Sequence, residues 1–192
     1  MAVILASGSP RRKELLTMLG VRQFEVCPAK GEEHPPLNAS PEEIVMALAA
    51  SKAREVAAAR DGAPEDVIIA ADTIVWQDGK MLGKPRSAAE AEEMLLSLQG
   101  RTHEVYTGVA VIALGRENIS FERTAVSFRP AEVAEIRAYI ATGEPMDKAG
   151  AYGAQGYASL FVEKLEGDFF NVMGLPLCAL GNLLQQMGVN LL

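Results

Sequence analysis

Strands and helices alternate along this sequence, which predicts a mixed α/β chain organised as one domain over residues 1–192. Three observations carry that expectation. A short apolar run, Val3 to Ala6, breaks at Ser7-Gly8-Ser9 into a helical pattern. Ser-x-x-Glu capping boxes at Ser40 and Ser87 each open a further helix. Between them an apolar strand runs into Asp78-Gly79, the strongest short hairpin signal in the chain.

Bulk properties narrow the function classes. The chain has 192 residues, 49% of them hydrophobic and 22% charged, an ordinary balance for a soluble globular protein. A net charge of -7 argues against a nucleic-acid partner, which would need a basic face. A small polyanion is still accessible to an acidic protein if a few cations and a metal converge locally. No signal-like segment and no apolar run near bilayer length is visible, so no membrane partner and a cytoplasmic location are expected. Cys27 and Cys178 have neither metal-ligand nor disulfide spacing and read as core thiols.

The first stretch is Val3 to Leu16. Ser9 is placed as an N-cap and Pro10 as the first helical residue, with Leu15, Leu16 and Leu19 apolar. The free N–H groups of that first turn and the helix dipole make an anion site. Arg11 and Arg12 fall in the same turn, where cations are unfavourable unless an anion is brought in. An ordinary capped helix with surface arginines is the other reading. Glu32 and Glu33 follow in a loop rich in glycine and proline, either as a solvated turn or as a carboxylate reaching toward a metal. His34 is assigned no role.

The Ser40 helix runs to about Ala59, with Ile44, Val45, Leu48, Ala49 and Val56 on its apolar stripe. Lys52 lies on that same stripe, so its ammonium either snorkels to solvent or meets an anion. The strand from Val67 to Gln77 contains Asp72-Thr73, an acid where a strand core does not want one. Folding at Asp78-Gly79 pairs Gln77 with Lys80, Trp76 with Met81, Val75 with Leu82 and Thr73 with Lys84. Lys84 would then balance Asp72, either as a structural ion pair or within a catalytic cluster.

The Ser87 helix extends through about Leu98 and ends at Gly100. Strands follow at Val105–Leu114 and Ile119–Phe128, turned by Gly115 with Arg116-Glu117-Asn118. His103, before the first of them, reads as structural. Pro130 opens a helix using Val133, Ile136, Tyr139 and Ile140, closed by Gly143. The Gly143–Gly156 segment is glycine-rich yet carries specific polar residues, either a mobile connector or a loop whose backbone closely approaches a ligand. A strand at Leu160–Leu165 and a helix from Pro176 toward Met187 complete the chain.

Six segments occur in this order: Leu5-Ala6-Ser7-Gly8-Ser9-Pro10-Arg11-Arg12, Ala71-Asp72-Thr73-Ile74-Val75, Gly83-Lys84-Pro85, Thr102-His103-Glu104-Val105-Tyr106-Thr107-Gly108, the Gly143–Gly156 loop and Asn171-Val172-Met173-Gly174-Leu175-Pro176-Leu177. Together they resemble the Maf family of nucleoside triphosphate pyrophosphatases over nearly the whole chain. The resemblance implies an α/β fold like the inosine triphosphatase group, with an elongated, forked mixed sheet flanked by helices and a cleft between two lobes. It implies Asp72 as the catalytic proton acceptor, and Ser7, Arg11, Arg12, Glu33, Lys52 and Lys84 as cleft-lining positions. Glu33 and Asp72 would hold a divalent metal, Mg²⁺ by preference and Mn²⁺ as the alternative.

The Asp147-Lys148-Ala149-Gly150-Ala151-Tyr152-Gly153-Ala154-Gln155-Gly156 form resembles the dTTP/UTP branch, in which Arg11, Thr73 and Gln155 match the specificity positions. A glutamine amide can accept the N3–H of thymine or uracil and donate to a ring carbonyl. The expected reaction is hydrolysis of dTTP and UTP, and of modified pyrimidine nucleotides, to the monophosphate and pyrophosphate. The alternatives are a 7-methyl-GTP pyrophosphatase and a non-catalytic nucleotide-sensing regulator of septum formation. A homodimer is compatible with the resemblance.

Overall fold

The computed structural model describes residues 2–60 and 65–190. Its elements are β1 (Val3–Leu5), α1 (Pro10–Met18), β2 (Glu25–Val26), α2 (Pro41–Ala58), β3 (Val67–Gln77) and β4 (Lys80–Leu82). They continue as α3 (Ala88–Leu98), β5 (Thr102–Ala113), β6 (Arg116–Phe128), α4 (Val133–Ala141), β7 (Val162–Glu166), α5 (Phe169–Met173) and α6 (Leu177–Gln186). The strands form one mixed sheet in the order β2-β1-β3-β5-β6-β7, with β4 on β3. β1 pairs in parallel with β2 and β3, whereas β4 on β3 and β7 on β6 are antiparallel. The α/β expectation holds. Among the described residues no helix is long and apolar enough to cross a membrane.

The chain divides into two compact units. The first comprises Met1–Asp72, Thr107–Glu122 and Gly174–Leu192; the second comprises Thr73–Tyr106 and Arg123–Met173. In the first, Ile4, Ala6, Ala49, Ala53, Val56, Ile68 and Ala70 belong to one buried cluster. Small residues on α2 let its backbone approach the sheet closely. At Gly108 of β5 a Cβ would lie 2.2 Å from the Val45 carbonyl oxygen. In the second unit, Leu95 and Leu98 of α3 and Ile136 and Tyr139 of α4 share a core with Val105, Phe128, Tyr152 and Phe161.

Local sequence chemistry fixes most boundaries. Ser40 forms the full reciprocal box, its Oγ accepting from the Glu43 N–H while the Glu43 carboxylate accepts from the Ser40 N–H. Ser87 forms only half of one, because Glu90 turns to the Arg86 N–H instead. Asp78 (φ 51°) and Gly79 (φ 74°) make the two-residue turn, with the expected pairing of Val75, Trp76 and Gln77 to Leu82, Met81 and Lys80.

Four expectations are corrected. β4 ends at Leu82, so the ladder stops before reaching Lys84. The β5–β6 turn is Leu114-Gly115, both at positive φ, and residues 116–118 already belong to β6. Val133 stays 41% exposed although it lies one turn before Ile136 on the same side, because it is the first residue of α4 and only Ile136 and Tyr139 of that helix are buried. Cys27 is only half-buried, and Cys178 is exposed because the buried stripe of α6 is Leu177, Leu180, Leu183 and Leu184. β2 and the short helix α5 give no periodic signal over their two and five residues.

Candidate active site

Most of the polar residues singled out above lie in the first unit, on four segments. β1 delivers the chain to Ser7, which is buried at 8% exposure. Ser7 Oγ accepts from Arg12 Nη1 at 3.0 Å and from the Ser9 N–H at 3.3 Å. Arg12 Nε donates to the Gly174 carbonyl oxygen at 2.7 Å, so the guanidinium is held at two points. Ser9 has the extended backbone of an N-cap, but its side chain makes no capping hydrogen bond. The first-turn N–H groups of α1 are therefore not capped by the Ser9 side chain.

Asp72 ends the apolar β3 run at 7% exposure, where a carboxylate needs a counter-charge. That charge comes from Lys52 of α2, whose Nζ lies 2.5 Å from Asp72 Oδ1. The same Nζ lies 2.7 Å from Glu33 Oε1. Lys52 thus sits on the apolar stripe and resolves the choice between snorkelling and anion binding in favour of the anion. One ammonium joins two carboxylates from separate segments. Burial pushes the Arg12 guanidinium below its ordinary pKa; the charges of Asp72 and Glu33 oppose that shift and Arg11 reinforces it. Ser7, Arg11, Arg12, Glu33, Lys52 and Asp72 therefore form one electrostatic group.

The remaining candidates belong to the second unit. Thr73 follows Asp72 on β3 and is half-buried, while Lys84 and Gln155 are exposed. Gln155 lies in a segment of 3₁₀ turns, Glu144–Asp147, Ala149–Ala151 and Tyr157–Leu160. His103 is structural, as expected: its Nε2 is 2.7 Å from the Tyr152 hydroxyl, and its ring meets Phe128 and Tyr152 edge-on. Burial lowers its pKa to about 4.

One residue is invisible in the sequence. Glu55 lies three positions after Lys52 on α2 and accepts from the Lys30 and Gly31 N–H groups, at 2.7 and 3.1 Å. It anchors the loop that carries Glu33. Its partners are 24 and 25 residues away, so no local spacing marks it.

Glu33 and Asp72 are a pair of carboxylates, and among the described residues no group of three or more His, Cys, Asp or Glu could hold a metal. Two hard oxygen donors beside basic groups fit Mg²⁺ in the form it usually takes with phosphate substrates, one or two carboxylates with the rest supplied by phosphate and water.

A family model described as "Maf-like protein" matches residues 2–187. The chain belongs to the Maf family. A dTTP/UTP pyrophosphatase of Bacillus cereus (strain ZK / E33L) is 48% identical over 98% of this chain and 96% of its own length. Another, from Bacillus cytotoxicus, is 50% identical over 95% of this chain and 94% of its own. Among solved structures, a nucleoside-triphosphatase / dITP/XTP pyrophosphatase from Mycobacterium abscessus aligns at 20% identity and a TM-score of 0.40, over 67% of this chain and 74% of that one.

Proposed function

We propose that this Maf protein hydrolyses dTTP and UTP to the nucleoside monophosphate and pyrophosphate. The observation that carries the reading is the bridge from Lys52 Nζ to both Asp72 and Glu33, in one charge group with Arg12. Relatives named dTTP/UTP pyrophosphatases, 48–50% identical over nearly the full chain, support the choice of nucleotide.

Phosphoryl transfer asks the protein mainly to position groups and to stabilise charge spread over phosphoryl oxygens. Arg12, fixed by Ser7 and Gly174, presents an oriented donor fork at little entropic cost. The α1 N–H groups and Arg11 add donors for the polyphosphate. Lys52, with its stem on the apolar stripe, moves between carboxylate and phosphate without leaving the site. Asp72 holds Lys52 through Oδ1 until the ammonium turns to phosphate, and its carboxylate is assigned to accept the proton of the attacking water. Glu33 and Asp72 are the residues that would hold Mg²⁺ or Mn²⁺. The chemistry such an ion supplies when bound is neutralisation of phosphate oxygens and a lower pKa for water. Lys84 is assigned to the polyphosphate, and Thr73 and Gln155 to the pyrimidine nucleoside, with the Gln155 amide complementary to N3–H and a ring carbonyl.

The test is a panel of dTTP, UTP, dCTP and 7-methyl-GTP with Mg²⁺ or Mn²⁺, read by identifying products. Turnover is expected on dTTP and UTP, with pyrophosphate released; preference for 7-methyl-GTP overturns the substrate reading. Asp72→Asn is expected to lose about two orders of magnitude in rate. Equal rates in mutant and wild type refute the role given to Asp72.

A further inference from the structure

The segment carrying Gln155 is held by two charged side chains that the reaction does not otherwise use. Glu144 accepts from the Tyr139 hydroxyl at 3.0 Å and from the Tyr157 and Ala158 N–H groups at 3.0 and 3.5 Å. Its carboxylate fills the space beside Gly156 (φ 135°), where a Cβ would fall 2.7 Å from Oε2. Lys148, buried at 9% exposure, donates to the Glu144 carbonyl oxygen at 2.6 Å and to Asp147 Oδ1 at 2.7 Å. Its side chain fills the space beside Gly153, where a Cβ would fall 2.7 Å from Cε. The backbone is thus packed against Lys148 two residues before Gln155 and against Glu144 one residue after it, and is hydrogen-bonded to Glu144 from Tyr157 onward. A Cβ at either glycine would push the facing side chain aside, and at Gly156 the positive φ adds backbone strain. Gln155 is itself exposed between the pins.

We infer that Glu144 is a positioning residue for pyrimidine selectivity: its carboxylate, bonded to the Tyr157 and Ala158 N–H groups and seated against Gly156, sets the direction of the Gln155 amide. This rests on the assignment of Gln155 to the base. Selectivity by hydrogen bonding depends on donors and acceptors being held where the correct base completes them. A segment free to rotate would present the amide equally to uracil and cytosine edges. Pinned on both sides, it presents one pattern. Tyr139 ties the clamp to α4, and burial, reinforced by the Glu144 charge, pushes its phenol pKa far up, so the hydroxyl remains a donor to that carboxylate.

The experiment compares kcat and KM for dTTP and dCTP in wild type, Glu144→Gln, Tyr139→Phe, Gln155→Ala and the Glu144→Gln/Gln155→Ala double variant. In Glu144→Gln an NH₂ group replaces one of the two acceptor oxygens, each of which faces one backbone N–H, so the clamp loses a backbone bond with little change in volume. The expected result is a fall of about tenfold in the dTTP/dCTP ratio of kcat/KM, carried by KM for dTTP. No further fall is expected in the double variant, since both changes remove the same discrimination. Tyr139→Phe removes one clamp bond only and is expected to shift the ratio in the same direction by less, which keeps the test available if Glu144→Gln folds poorly. A uniform loss of kcat on both nucleotides with an unchanged ratio, in Glu144→Gln and Tyr139→Phe alike, overturns the inference. If Gln155→Ala lowers the ratio and the other two do not, the inference fails while the reading of Gln155 stands. If Gln155→Ala leaves the ratio unchanged, both fall.

Discussion

Asp72 is almost fully buried at the end of a run of Val, Ile and Ala, and its charge is tolerable because the Lys52 ammonium sits 2.5 Å away. That lysine was legible in the sequence because a cation on an apolar helical stripe demands an explanation. Hairpin pairing alone points to Lys84 as the charge opposite Asp72, but the ladder ends at Leu82, and Lys52 of α2 supplies it. Glu55 could not be read at all, since its role is created by a loop brought back across tens of residues. His103 offers the clearest test at this scale. Burial holds the folded pKa near 4, against an ordinary 6.5. Between those values the unfolded chain binds a proton that the folded chain refuses, so stability rises with pH across that window and falls as pH drops through it. Below about pH 4 the loss is complete, amounting to at most about 3 kcal/mol. Denaturant unfolding of wild type and His103→Gln between pH 4 and 7 checks this. The difference between them is expected to grow from the acid end toward pH 7, and a constant difference refutes it.

Helix α2 is the element on which the first unit's chemistry depends. It carries Lys52, anchors the Glu33 loop through Glu55, and approaches β5 closely enough that only glycine fits at 108. Its start was readable because Ser40 and Glu43 cap it by rules confined to four residues; its depth against the sheet was not, because that is set by Gly108, whose contact with Val45 spans 63 residues. Gly108→Ala is expected to destabilise by about 2–3 kcal/mol, since the new methyl meets backbone rather than a flexible side-chain end. Turnover of dTTP is expected to fall in the surviving folded fraction as well, because displacing α2 shifts Lys52 relative to Asp72. Gly181→Ala on α6 is the control: nothing lies within 4 Å of its Cβ, so the helix gains up to about 1 kcal/mol from lost unfolded-state freedom. Chemical denaturation and a dTTP assay on both variants decide the matter, and equal stability of Gly108→Ala and wild type would sink the close-packing argument.

For the molecule as a whole, a net charge of -7 makes binding of a polyanion depend on how few cations are placed and how they are shared. Lys52 is shared most heavily, because its ammonium already occupies the space between the two carboxylates assigned to a divalent ion. A divalent cation arriving alone must displace that ammonium and leave it without an anion. One arriving with a triphosphate gives the ammonium a phosphate oxygen to move to. Mg²⁺ and nucleotide are therefore expected to bind cooperatively. Thermal unfolding of the full chain should shift little with Mg²⁺ alone or with a non-hydrolysable dTTP analogue alone, and by several degrees with both, as linkage requires for a ligand that binds only the folded state. Lys52→Met inverts the first part of this pattern. Without the ammonium, Glu33 and Asp72 face each other unpaired, the protein is less stable at rest by about 3 kcal/mol, and Mg²⁺ alone restores much of the loss. If Mg²⁺ alone stabilises wild type as strongly as it stabilises Lys52→Met, the lysine is not competing for the metal position, and the assignment of Glu33 and Asp72 as the metal-holding pair fails.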